Sequence, residues 1–254
     1  MKLKKLLISV IASASVVTSM MGSLSTSAAD QSRWLYSIDQ QGQKYDYFCG
    51  YAAMLTEIDH SYRLGKLKGS NNKKWDQDKV AVYMQDHYNH KPYQNGQYDQ
   101  YGNKIDGSLA WYVGSSNSVD YNQNMYPAGR ALKAITGFSY IAYGCCTSGE
   151  SSLRASEVKS RVRNTINNNH AVLACGRSNP EGSSYLPNYP TWTKIEHWIA
   201  VDGYNYSDKY GDNIWILDPA ARGCGGAGFE NVPQSYSVTL QKFTDFAWFH
   251  GILW

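Results

Sequence analysis

Order along the chain is the strongest constraint on this sequence. Helical patterns come first and strand patterns come last. In Cys49–Asp59 the apolar residues Ala52, Ala53, Leu55 and Ile58 fall on one helical face. A second helix is expected over 76–87, where Val80, Tyr83 and Met84 share a face. Shorter helices are expected over 108–113 and 127–135. From residue 156 the pattern changes. Val158, Val162 and Ile166 stand four apart on a helix that Ser156 is placed to cap. Strands are then read at 171–175, 197–204 and 213–217, with further strands at 236–240 and 246–254. Weaker strand patterns occur at 34–36 and 138–143. Helices followed by antiparallel strands predict an α+β domain rather than an alternating parallel fold.

The first 29 residues stand apart from this pattern. Lys2, Lys4 and Lys5 precede an apolar run from Leu6 to Val17, and small residues end in Ser27-Ala28-Ala29. That succession predicts a secretory signal peptide cut after Ala28 or Ala29, hence a secreted protein. The apolar run is too short and too serine-broken for a span of about 20 residues. About 225 residues then remain, enough for one domain over 30–254. The 24 Lys and Arg include the three leader lysines, so the mature chain balances 21 basic against 21 acidic residues. No basic excess remains for a nucleic-acid partner, and no later apolar run calls for a membrane.

Five cysteines are present: Cys49, Cys145, Cys146, Cys175 and Cys224. An odd number leaves at least one thiol outside an intrachain bridge. Cys175, in Ala-Val-Leu-Ala-Cys, reads as a small buried apolar side chain. A bridge from Cys224 to Cys145 or Cys146 is compatible with the sequence. His60, His87 and His90 lack the carboxylate or thiolate partners of a metal site, and Cys145-Cys146 has no ligand spacing. The glycine-rich 223–228 loop lacks the Lys-Ser/Thr and helix of a phosphate loop. No metal or cofactor is expected. His170 reads as a surface residue, and Asp46 as a loop acid turned outward.

Chemistry gathers in three segments. Cys49-Gly50 directly precedes a helical run, where free N–H groups and the helix dipole favour a thiolate. Gln43, six residues earlier, offers a side-chain amide to a developing oxyanion, together with the Cys49 N–H. Gln40 and Gln41 stand close by. His197 opens the strand His-Trp-Ile-Ala-Val-Asp-Gly-Tyr and is placed to act as general base. Asp218-Pro219 closes the next apolar strand. If that strand returns antiparallel through a 205–212 loop, Asp218 comes back beside His197 and can fix its tautomer. Asp202 is the rival orienting acid, but its odd offset puts it on the opposite strand face.

The glutamine, five spacers and Cys-Gly-x-Ala-Ala of 43–53, the His-hydrophobic-Gly-Tyr segment of 197–204, and Asp218-Pro219 together resemble the papain-like cysteine peptidases. The likeness is nearest to double-glycine leader peptidase-like proteins of the stand-alone secreted type, and spans roughly 40–220. It implies a nucleophile at the start of a helix packed on a C-terminal antiparallel sheet. It also implies a Cys49–His197–Asp218 site with Gln43 as oxyanion donor, acting on a peptide or protein. Tyr51 stands where that family usually carries proline, which suits a first helical turn but does no chemistry. Two other readings of the same residues are a transglutaminase-like acyl transferase or cell-wall amidase, and an inactive module that binds peptide or glycan.

Overall fold

A computed structural model of the chain describes residues 31–45, 48–88, 127–144 and 153–254. The signal segment, Asp46, the expected helix at 108–113, His90, Cys145 and Cys146 lie outside them. The architecture is α+β: an open antiparallel sheet with helices on both faces. In chain order the elements are β1 (31–34), α1 (49–63), α2 (77–88), α3 (127–136), β2 (142–143), α4 (155–167), β3 (172–178), β4 (195–206), β5 (213–217), β6 (235–239), α5 (240–247) and β7 (252–253). The sheet order is β2-β7-β3-β4-β5-β6. β1 pairs with the far half of β4, from Gln31↔Tyr206 to Trp34↔Gly203. There β5 holds the other edge, so β1 takes over where β3 ends.

Two apolar clusters explain why the central strands read as continuous apolar runs. Val172 and Ala174 of β3, with Ile199 and Val201 of β4, pack with α4 and α5. Their neighbours Leu173, Cys175 and Trp198 pack with α1, α2 and α3. A strand covered on both faces has little room for polar alternation. α1 follows the same logic. Only Asp59, Tyr62 and Arg63 of its 15 residues escape burial, so it is a central helix rather than a surface one. On α4 the residues Val158, Val162 and Ile166 are all fully buried, as their spacing predicts.

Several boundaries differ from expectation. The 246–254 segment is not one strand. Leu240, Phe243, Phe246 and Ala247 give α5 a helical apolar face, and Thr239 caps it by accepting from the Lys242 N–H at 3.2 Å. The chain turns at Gly251, with φ of 95°, before the short β7. The 138–143 strand shrinks to β2, because β7 offers only a two-residue partner. The 34–36 arm moves back to 31–34. Ser156 does not cap α4: the helix starts one residue earlier behind an extended Arg154, leaving Ser156 inside its first turn.

Candidate functional site

Cys49 is the first residue of α1. Phe48, the residue before it, supplies no side-chain cap, and the first turn holds no acid. The positive end of the helix dipole is therefore not offset by a carboxylate. β4 delivers His197 and β5 delivers Asp218. Antiparallel pairing of Ala200 with Leu217 brings the end of β5 back to the start of β4. His197 Nε2 lies 3.0 Å from Asp218 Oδ1, and the Cys49 thiol is the other group whose charge and hydrogen-bonding capacity act on the ring. With Nε2 committed to Asp218, Nδ1 is the nitrogen left for sulfur.

Both side chains of the His–Asp pair are almost dry, at 4% and 0% exposure. Burial pulls the imidazole pKa down, but the charges of Cys49 and Asp218 and their hydrogen bonds outweigh it, raising the group to about 10. Burial works against the Asp218 carboxylate in the same way. It is overcome by His197, Tyr236 and Tyr189, which hold Asp218 below the usual carboxylate range. The carboxylate is fully engaged. Oδ1 accepts from His197 and from the Ala220 N–H at 2.9 Å. Oδ2 accepts from the Tyr189 hydroxyl at 2.7 Å and the Tyr236 hydroxyl at 2.6 Å. Tyr189 also packs edge-on against His197, with centroids 5.8 Å apart. The two tyrosines are site residues that the sequence reading missed. Among 21 tyrosines nothing in spacing singles them out, although Tyr236 lies in a predicted strand.

Gln43 is buried, at 8% exposure. Its backbone N–H donates to the Pro219 carbonyl at 2.9 Å, which ties it to the turn after Asp218. Its side-chain N–H donates to the Tyr45 carbonyl at 3.3 Å, and that carbonyl also accepts from the Phe48 N–H, one residue before Cys49. Gln43 Oε1 is buried without a partner. Gln40 has a separate role: its amide donates to the Asp218 carbonyl at 2.6 Å. Gly42 packs against Cys224: a Cβ there would sit 2.7 Å from Cys224 Sγ, so that side chain would have to move. Cys224 is a free thiol.

Cys175 is fully buried on β3 as expected. Burial first, then the charges of Cys49 and Glu196, push its thiol well above the ordinary range, so it stays protonated. Asp202 does not pair with His197. It sits where the β4–β5 register shifts between Val201 and Gly203, with Oδ1 buried and unpartnered. His170 is a correction: it is 6% exposed, and its Nδ1 lies 2.8 Å from Oε1 of the fully buried Glu57. Glu57 also accepts from Ser61 Oγ and the Ala171 N–H, both at 2.8 Å. Glu57 stands in sequence beside Thr56, Asp59, His60 and Ser61, so nothing local singles it out as this partner. His60 is buried with Nε2 unpartnered, and His87 stacks on Tyr83. Among the described residues no three His, Cys, Asp or Glu side chains could hold a metal ion, and no helix is long and apolar enough to cross a membrane.

The arrangement can do nucleophilic acyl chemistry: a thiol on a helix terminus, an imidazole between it and a buried carboxylate, and N–H groups nearby. No family model and no curated protein matches the chain.

Proposed function

We propose that this protein is a secreted cysteine peptidase of papain-like build, cleaving peptide bonds through an acyl-enzyme. One observation carries the reading: His197 stands between the Cys49 thiol and the dry Asp218 carboxylate, 3.0 Å from the latter. The papain-like build is supported by a nucleophile-bearing helix on one face of an antiparallel sheet that supplies base and acid. Secretion is supported by the leader-like first 29 residues.

In this reading Cys49 Sγ attacks the scissile carbonyl carbon. The Cys49 N–H and the second amide N–H of Gln43 hold the oxyanion, each such donor contributing ~2.7–4 kcal/mol to the barrier. His197 gives its Nδ1 proton to the leaving nitrogen as the C–N bond breaks. It then takes a proton from water, the hydroxide displaces sulfur, and the thiolate and imidazolium return. An acyl transferase would differ only in the second half, where an amine replaces water.

The test is alkylation of the purified protein by iodoacetamide across pH, with His197→Ala alongside. Cys49 is expected to label faster than a free thiol, and to lose that rate in the variant. An ordinary thiol profile in both proteins would refute the enzyme and favour a peptide- or glycan-binding module. With an active enzyme, amide formation from added amines in preference to acid would reassign it as an acyl transferase.

A further inference from the structure

Away from Cys49, an open cleft is lined by Gln31, Ser32, Arg33, Arg163, Asn167 and Tyr204. None of these six side chains is acidic. Arg33 comes from β1 and Arg163 from α4, two elements more than a hundred residues apart in sequence that meet over the end of β4. Their partners are neutral. Arg33 donates to Asn169 Oδ1 at 2.7 Å, and Arg163 donates to Gln31 Oε1 at 3.3 Å. The other α4 cations facing acids are paired, Lys159 with Asp212 at 2.7 Å and Arg161 with Glu157. Among the described residues, Arg33 and Arg163 have no carboxylate partner.

We propose that this cleft binds a phosphate group. Each guanidinium carries five N–H donors in a planar fork, and each spends one here on a neutral side-chain oxygen. Two such forks on one cleft supply two positive charges and a geometry that matches phosphoryl oxygens better than a single carboxylate. The Ser32 hydroxyl adds a donor at the cleft wall, while the Tyr204 hydroxyl donates its proton to Asn167 Oδ1 at 3.1 Å and so holds that amide in the lining. Tyr204 lies seven residues beyond His197 on β4, roughly 20 Å at ~3.3 Å per residue. A phosphate there cannot touch the Cys49 thiol. It anchors a ligand that extends from one region to the other, or one held independently of the thiol site. The shared chemistry is a phosphoryl group, whether a small phosphate ester or the phosphodiester of a polymer.

Isothermal titration at low salt tests this, with inorganic phosphate and with short poly(glycerol phosphate) as probes, on the protein and on R33Q/R163Q. The expected result is a Kd of about 1 mM or tighter, weakened at least about tenfold in the double variant. Tighter binding per phosphate by the polymer identifies the phosphodiester source; equal binding identifies the small ester. No binding of either probe, or binding that R33Q/R163Q retains, overturns the proposal. Equal melting temperatures of the two proteins guard against misfolding. Cys49 alkylation is expected to be the same in both, so this result and the test of the thiol site are independent.

Discussion

Replacing Asp218 by Asn tests the electrostatics of the candidate site directly. The substitution keeps the shape of the side chain and removes one charge from a fully buried position. His197 then loses the charge-assisted part of its 3.0 Å contact. A hydrogen bond to a charged group contributes about 1.5–3 kcal/mol. At 1.36 kcal/mol per pKa unit, that is about 1–2 units. Removing a negative neighbour disfavours imidazolium, so the shift is downward, from about 10 in the native protein towards 8–9. Titration of His197 Cε1 by NMR, assigned with His197→Ala, reads this shift. The same energy predicts a fall in kcat/KM of about 10- to 100-fold if the protein is the proposed peptidase. Tyr189→Phe and Tyr236→Phe serve as companions, since each removes one donor from Asp218 Oδ2 without touching His197 Nε2. They are expected to raise the Asp218 pKa. A His197 midpoint that stays near 10 in Asp218→Asn, or rises, would refute this account of the pair.

Two further predictions concern the sheet. Burial pushes the Asp202 carboxyl up to about 6, against about 3.9 in an unfolded chain. Its charged form is disfavoured in the fold, so it costs about 3 kcal/mol at neutral pH, a cost that vanishes as pH falls through 6 towards 4. Asp202→Asn should therefore raise stability to urea by about 2–3 kcal/mol at pH 7 and change it little at pH 4; an equal gain at both would contradict the shift. Gly176 faces His197 across β3–β4, and a Cβ there would lie 2.1 Å from the Phe246 carbonyl oxygen. Gly176→Ala should cost about 1–3 kcal/mol or more, as overpacking does, and a chevron or urea midpoint equal to the native one would show that α5 yields freely.

Much of this arrangement was legible because it rests on local period and on pairing order. The 49–63 and 155–167 helices announce themselves through apolar spacing, and the antiparallel return of β5 follows from two apolar runs joined by a polar loop. That return is what puts Asp218, rather than Asp202, beside His197. Other features depend on long-range contact and leave no local trace. Tyr189 reaches Asp218 from the loop before β4, and Tyr236 from the neighbouring strand. The position of His170 before a strand predicts a surface residue; it is buried because a glutamate on another element meets it. The end of α5 leaves no mark in the sequence because its last apolar residues run on towards β7, and only the turn at Gly251 separates the two periods.

The Glu57 contact has a mechanical consequence for Cys49. Apolar surfaces hold α1 against the sheet, but dispersion and hydrophobic contact are nearly indifferent to small axial sliding. Glu57 is not: its oxygens meet Ser61, His170 and the Ala171 N–H at 2.8 Å each, just ahead of β3. Sliding α1 by a fraction of a turn would strand a buried carboxylate. Eight residues separate Glu57 from Cys49, about 12 Å along the helix at ~1.5 Å per residue. The polar contact thus works as a dowel, fixing the axial coordinate of a helix whose other end carries the thiol, while the surrounding apolar packing supplies only adhesion.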